Sequence, residues 1–281
     1  MTRSTMKGGL ARLRSWGFEP VAGRYLWRRS GDLAGPDALR AADLRWALSD
    51  PTIDAVWSAR GGWGTARLLP GLERIVRRRR PRWVIGFSDL TALQVTLVAH
   101  GWPSWYAPSV VGLGDSTRFV SRDIERMLSD PLSERLYRPG RRHVLVRGRA
   151  RGPLVGGCLA VLAALAGTRW QPTLRGAVLF LEEVGEAPYR IDRMLWQLRA
   201  SGMLDGVKGL VVGQLTRCRP APNRPSRSLR AILREHAEAL GVPAMTGLVV
   251  GHGSKSRALP LGYTADLDAH RGAVSVRAPS T

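Results

Sequence analysis

The stretch RWVIGFSDLTALQ, residues 82–94, decides the fold prediction because it joins an apolar strand directly to a helix. The strand pattern is broken by Gly86, and Leu90, Leu93 and Leu97 then recur at helical spacing. Ser88 therefore lies at a sharp strand-to-helix corner that leaves no room for an ordinary loop.

Two interpretations of Ser88 compete at this corner. Serine and aspartate are the preferred N-cap residues, because their oxygens accept hydrogen bonds from the free N–H groups at a helix start. The other interpretation is a nucleophile, since such a corner exposes the side chain beside a helix N-terminus that stabilises an oxyanion. The G-x-S-x-G pattern of α/β-hydrolases is not met here. A decision requires a base, a carboxylate and an oxyanion donor elsewhere in the chain.

Strand and helix patterns alternate on both sides of the corner. Such alternation predicts a parallel sheet with helices on both faces. A passage rich in proline and arginine, 131–153, interrupts it and is interpreted as a linker between domains at 1–130 and 154–281. The predicted apolar runs or strands are 19–26, 53–60, 83–87, 176–184 and 207–215, and the predicted helices are 38–48, 66–78, 91–100, 156–168 and 191–202.

Composition indicates a cytoplasmic globular enzyme or binding protein. Of the 281 residues 44% are hydrophobic, which is typical of a folded domain. No apolar run approaches the roughly eighteen residues of a membrane span, and the basic N-terminus lacks a signal-peptide core. Cys158 and Cys218 match no metal-ligand spacing, so free thiols are expected, with no metal and no cofactor.

The formal charge of +21 raises the question of nucleic-acid binding. Three of the 43 basic residues are lysines and the other 40 are arginines, which are spread along the whole chain. The one cluster, Arg77–Arg80 with Arg82, is expected to form a solvated face. We therefore expect non-specific, salt-sensitive binding to polyanions and no specific nucleic-acid site.

Further polar residues stand where predicted strands end. Gly61, Gly62 and Gly64 lie in RGGWG, Glu182 ends an apolar strand, and His252 stands between glycines in GLVVGHGS. Ends of parallel strands share the sheet edge at which such folds bind ligands. The glycines and Glu182 also have simpler interpretations, namely a tight turn for the glycines and a solvated surface for Glu182. The remaining histidines look like helix-end or surface residues: His100, His143, His236 and His270.

Four blocks of sequence, in order, resemble the LD-carboxypeptidases (muramoyltetrapeptide carboxypeptidases), a family of cytoplasmic serine peptidases that also includes the microcin C self-immunity hydrolases. The blocks are residues 32–70, WVIGFSDLTALQ at 83–94, LFLEEVGEAPYRIDRMLWQL at 179–198, and VPAMTGLVVGHGSKSRALPLG at 242–262. Each block is modest alone, and the ordered set is specific.

The resemblance implies a Ser-His-Glu triad of Ser88, His252 and Glu182, without a metal. By analogy, the backbone N–H groups of Asp89 and Gly62 would form the oxyanion hole, with Gly61 beside them. The implied fold is an α/β arrangement of an N-terminal Rossmann-like parallel sheet and a C-terminal β-rich domain. The implied activity releases terminal D-alanine from muropeptide tetrapeptides during peptidoglycan recycling, by a homodimer that binds neither membrane nor specific nucleic acid.

Two departures and two alternatives accompany the resemblance. Cys158 replaces the usual asparagine of a G-G-N motif, which puts substrate contacts there in question. The family's opening strand has no counterpart, so we expect either a start upstream of Met1 or a shift of 19–26 into the gap. The alternative functions are a hydrolase of peptidyl-nucleotide toxins and a non-catalytic module that binds a ligand or polyanions.

Overall fold

The computed structural model describes residues 3–76, 80–223 and 225–278. The helices in this part of the chain are α1 Arg3–Ser15, α2 Asp37–Ser49, α3 Leu72–Val76, α4 Thr91–Ala99, α5 Val110–Gly114, α6 Arg118–Ser129, α7 Leu159–Leu165, α8 Pro188–Ala200 and α9 Leu229–Leu240. The strands are β1 Ala55–Trp57, β2 Trp83–Gly86, β3 Ser104–Tyr106, β4 Arg135–Tyr137, β5 Val144–Val146, β6 Arg149–Cys158, β7 Val178–Val184, β8 Gly209–Thr216, β9 Ala244–Met245, β10 Leu259–Leu261, β11 Thr264–Asp268 and β12 Ala273–Arg277.

The first sheet has the strand order β1-β2-β3-β10. Strands β1, β2 and β3 are parallel, and β10 returns from the C-terminal part of the chain to pair antiparallel with β3. Val84 and Ile85 of β2 are each 1% exposed, as expected for a strand covered on both faces. The predicted parallel sheet is confirmed, and β10 ties the two halves of the chain together.

The second sheet is larger and mixed, with the order β4-β12-β11-β6-β7-β8-β9-β5. Its centre, β6 to β9, is parallel, whereas β11, β12, β4 and β5 are added antiparallel. Helices α7, α8 and α9 pack beside the parallel part, where Leu179, Leu195 and Ile232 share one apolar core. A β-rich α/β domain in the second half is therefore confirmed.

Two predicted elements of the first half differ in the structure. Residues 19–26 form an irregular segment with a turn instead of a strand, and none of them is buried. Pro20 and Gly23 interrupt the segment, so it does not fill the place of an additional strand. The helix predicted over 66–78 is divided into a 3-10 turn at Thr65–Leu68 and α3, since Pro70 and the left-handed Gly71 (φ 89°) lie between them. Its last two residues lie outside the described part of the chain, as do Arg77–Arg79 of the arginine cluster.

The helix predicted over 156–168 begins later, at Leu159, because Gly156, Gly157 and Cys158 are the end of β6. A Cβ atom on Gly156 would lie 1.9 Å from the carbonyl oxygen of Phe180, and one on Gly157 would lie 2.4 Å from Oγ1 of Thr91. The glycines allow this close approach of β6 to its neighbours. Residues 131–153, interpreted as a linker, contain β4, β5 and the start of β6, and the domain boundaries there stay a prediction.

A buried ion network fastens the segment before β10 to the rest of the fold. Asp123 of α6 accepts hydrogen bonds from Arg135 at 2.7 Å, from Arg257 at 3.0 Å and from the backbone N–H of Ala258 at 2.8 Å. The side chains of Asp123 and Arg135 are only 7% and 6% exposed. The carboxylate therefore neutralises a buried guanidinium and fixes the chain that leads into β10.

Replacement of Asp123 by alanine is expected to lower the free energy of unfolding by about 3–5 kcal/mol, because Arg135 would remain buried without its counter-ion. Asp266→Ala is the matched control: Asp266 pairs with the more exposed Arg151 and Arg277, and its loss should cost at most about 1 kcal/mol. Chemical denaturation measures both variants. Equal losses in the two variants would contradict the structural role given to Asp123.

Candidate active site

Ser88 occupies a strained backbone position at the end of β2. Its φ angle is 62°, in the left-handed region that residues with a side chain adopt at a cost of about 1–3 kcal/mol. Two residues earlier, a Cβ atom on Gly86 would lie 2.3 Å from Oγ of Ser58, so only glycine allows the turn to be this tight. The residue that caps α4 is Leu90, without a side-chain hydrogen bond. The N-cap interpretation of Ser88 is therefore wrong.

A chain of hydrogen bonds connects Ser88 to a buried carboxylate. Nε2 of His252 lies 3.0 Å from Oγ of Ser88, and Nδ1 lies 2.7 Å from Oε2 of Glu182. Glu182, near the end of β7, is 0% exposed, whereas the His252 side chain is 15% exposed. His252 is thus in contact with two residues that are 164 and 70 positions away in sequence. Ser88 and Glu182 lie near the carboxyl ends of β2 and β7, and His252 lies in the loop between β9 and β10.

The loop between β9 and β10 holds His252 by backbone contacts on both sides. The N–H of Gly251 donates to Oγ of Ser256 at 2.9 Å, and the N–H of Gly253 donates to Oε1 of Gln214 at 2.9 Å. The ring of Phe87 packs against the imidazole with centroids 4.8 Å apart. These contacts fix both the position and the plane of the His252 ring.

The glycine-rich segment after β1 lies against Ser88. A Cβ atom on Gly61 would be 3.4 Å from Cβ of Ser88, so the segment is in van der Waals range of the corner, and the next residue, Gly62, is exposed. The carboxylate of Asp89 accepts from the N–H and the hydroxyl of Thr65 at 2.7 and 2.6 Å. This carboxylate therefore ties the glycine segment to the turn that carries Ser88.

Tyr106 was not foreseen from the sequence. Its hydroxyl accepts from the N–H of Ser88 at 2.9 Å and donates to Oε1 of Glu182 at 2.6 Å. Burial, and then the charge of Glu182, raise the pKa of Tyr106 well above its usual value. One signal was present: Tyr106 ends β3, the parallel neighbour of β2, so the two share a sheet edge. Phe87, Gln214 and Ser256 gave no such signal.

Cys158 lies one strand away from the hydrogen-bonded chain, paired in register with Glu182. Its Sγ is 3.7 Å from both carboxylate oxygens of Glu183. Glu183 also accepts from the N–H of Ala160 at 2.7 Å, at the start of α7. Burial raises the pKa of Glu183 and that of Cys158, in each case as the main cause. The Cys158 thiol is thus a buried group that contacts the carboxylate at the start of α7.

Over residues 3–76, 80–223 and 225–278, no group of three or more His, Cys, Asp or Glu side chains is arranged to hold a metal ion. The helices within these ranges are all too short or too polar to cross a membrane.

A serine hydroxyl that contacts an imidazole, which in turn contacts a buried carboxylate, is an arrangement suited to nucleophilic catalysis. The imidazole can remove the hydroxyl proton as the oxygen attacks, and the carboxylate can stabilise the resulting imidazolium. Ser88 is itself partly exposed, beside the partly exposed His252 and the exposed Gly62, so a substrate can reach the serine from solvent.

Comparison with known proteins identifies the family. Residues 1–107 match the LD-carboxypeptidase N-terminal domain and residues 151–267 match the LD-carboxypeptidase C-terminal domain. The murein tetrapeptide carboxypeptidase of Pseudomonas aeruginosa is 36% identical over 95% of this chain and 89% of its own length. The microcin C7 self-immunity protein MccF of Escherichia coli is 24% identical over 95% and 86%.

A solved structure agrees with these relatives. The muramoyltetrapeptide carboxypeptidase of Oxalobacter formigenes superposes with a TM-score of 0.83 at 28% identity, covering 98% of this chain and 95% of its own. Sequence and fold therefore agree over nearly the whole length: the chain belongs to the LD-carboxypeptidase family.

Proposed function

We propose that this protein is a serine LD-carboxypeptidase that releases the terminal D-alanine from murein tetrapeptides. The observation that carries the proposal is the hydrogen-bonded chain from Ser88 through His252 to the buried Glu182. The name of the Pseudomonas aeruginosa relative, a murein tetrapeptide carboxypeptidase, supports the substrate class.

In the proposed reaction, His252 takes the proton of Ser88 as Oγ attacks the carbonyl carbon of the third residue. The N–H groups of Asp89 and Gly62 stabilise the developing oxyanion. His252 then gives its proton to the amine of D-alanine, which leaves, and a water molecule hydrolyses the acyl-enzyme by the same route. Throughout, Glu182 orients the imidazole and stabilises its charged form.

The alternative within the family is hydrolysis of peptidyl-nucleotide toxins. MccF, the microcin C7 self-immunity protein, is 24% identical to this chain, compared with 36% for the murein enzyme, and the sequence gives no clear aromatic-bearing insertion for base stacking. The non-catalytic alternative leaves the Ser88–His252–Glu182 chain unexplained. A cytoplasmic location, a homodimer and non-specific polyanion binding remain parts of the proposal.

Ser88→Ala and His252→Ala are each expected to lower turnover by roughly a millionfold, because the residues of a triad act as a unit. The assay incubates purified protein with free tetrapeptide and follows the loss of one alanine by mass spectrometry. His270→Ala, at a turn between β11 and β12, is the matched histidine control and should retain activity.

Two results would contradict the proposal. Turnover that survives Ser88→Ala would exclude the serine mechanism. If the wild-type protein leaves the tetrapeptide intact and cleaves an aminoacyl sulfamoyl adenosine, its substrate is a peptidyl-nucleotide and not a murein peptide.

Gly251→Ala is expected to lower kcat roughly 100-fold, because a displacement of about 1 Å in a catalytic group can have that effect. The new Cβ atom would lie 2.7 Å from Oε2 of Glu182, the oxygen that contacts His252, and the φ angle of 137° adds backbone strain. Gly241→Ala is the control, with a φ of 66° and no atom within 4 Å of the new Cβ. Kinetics and melting are measured for both. Equal kcat values for the Gly251→Ala and Gly241→Ala variants would show that the tight packing at Gly251 does not contribute to catalysis.

A further inference from the structure

Ser88 and Glu182 are connected twice in this structure. His252 joins their side chains, and the hydroxyl of Tyr106 joins the backbone N–H of Ser88, at 2.9 Å, to the second carboxylate oxygen of Glu182, at 2.6 Å. The four residues thus form a closed ring of hydrogen bonds around the nucleophile.

The direction of the two Tyr106 bonds follows from chemistry. A backbone N–H can only donate, so the hydroxyl oxygen must accept from Ser88. The hydroxyl therefore donates a hydrogen bond to Glu182, whose carboxylate oxygen accepts that bond. Because burial and the charge of Glu182 raise the pKa of Tyr106 well above its usual value, the hydroxyl keeps this proton.

The Tyr106 ring is held rigidly. The residue is 1% exposed, and its ring makes edge contacts with Phe87 and Phe180 at centroid distances of 6.3 and 5.3 Å. Phe87 in turn packs on the imidazole of His252. The hydroxyl is therefore a fixed point relative to which the other three residues can be placed.

Both residues that the Tyr106 hydroxyl contacts, Ser88 and Glu182, need a rigid partner to hold them in place. Ser88 has a φ of 62°, a conformation that persists only where surrounding contacts determine it. Glu182 is 0% exposed, and a buried carboxylate that lacks a partner for one oxygen is destabilised and free to rotate away from the imidazole.

We propose that Tyr106 is a positioning residue whose hydroxyl holds Ser88 in its left-handed conformation and holds Glu182 with Oε2 facing His252. Tyr106 acts through these two residues and does not contact the substrate. The inference rests on the proposed serine mechanism and adds a fourth member to it.

The test uses Tyr106→Phe, which removes one oxygen and keeps the ring contacts. Phosphonylation of Ser88 by a fluorophosphonate probe is measured alongside tetrapeptide kinetics. The expected result is a fall of roughly 10- to 100-fold in both the phosphonylation rate and kcat, with KM within about twofold of wild type, as for misplaced reacting groups. Because the probe needs no peptide recognition, it tests Tyr106 even where the tetrapeptide proves to be the wrong substrate.

Tyr263→Phe is the matched control. Tyr263 is 3% exposed, and its hydroxyl donates to the carbonyl of Pro131 at 3.1 Å, away from the hydrogen-bonded ring. It should lower the melting temperature as Tyr106→Phe does and leave both rates unchanged. A purely structural role for Tyr106 predicts the same behaviour in the two variants.

Rescue completes the design. With 4-aminophenylalanine at position 106, the amine supplies a donor to Glu182 and a weak acceptor for Ser88, because its lone pair is partly delocalised into the ring. Phosphonylation should therefore be within about tenfold of wild type and faster than in the Phe variant. This variant also decides the question if Tyr106→Phe does not fold, since a folded protein without reactivity would overturn the proposal. Wild-type rates in Tyr106→Phe would overturn it equally.

Discussion

The interaction on which the candidate site depends is the contact between His252 and the buried carboxylate of Glu182, 2.7 Å long. Removing a carboxylate from water costs several kcal/mol unless partners replace its hydration. The fold supplies two such partners from distant parts of the chain, the imidazole of His252 and the hydroxyl of Tyr106. The same two partners also contact Ser88. The interactions that stabilise the buried charge of Glu182 therefore also position the nucleophile.

Strand β10 explains how this is achieved. Leu259 pairs with Tyr106 in the antiparallel ladder between β10 and β3, seven residues after His252. Asp123 fixes the intervening chain through Arg257 and Ala258. The C-terminal part of the chain is therefore hydrogen-bonded directly to the strand that carries Tyr106. This short strand pair therefore helps to bring the loop that carries His252 to the sheet edge at which Ser88 lies.

Much of this arrangement could be predicted from the sequence. Alternating strands and helices specify the parallel sheet, and the strand ends at Gly86 and Glu182 place Ser88 and Glu182 at edges where ligands bind. The strand predicted to end just before His252 is not formed: β9 ends at Met245, and His252 lies in the loop that leads to β10. Local patterns could not reveal Tyr106, because its hydroxyl acts across strands, or the start of α7 after Cys158, because close packing of β6 overrides the apolar helix pattern. His236, expected at a surface or helix end, is 2% exposed within α9, since Asp192 gives it a partner at 2.8 Å.

The central claim is that Ser88 forms the covalent bond with the substrate. Rapid acid quenching of the enzyme during tetrapeptide turnover, followed by proteolysis and mass spectrometry, tests this most directly. The account predicts a tripeptide acyl group on the proteolytic fragment that contains Ser88, formed before free tripeptide accumulates and absent when the protein is unfolded beforehand. Release of D-alanine at full rate with no acyl group on Ser88, or with the group on another residue, would contradict it.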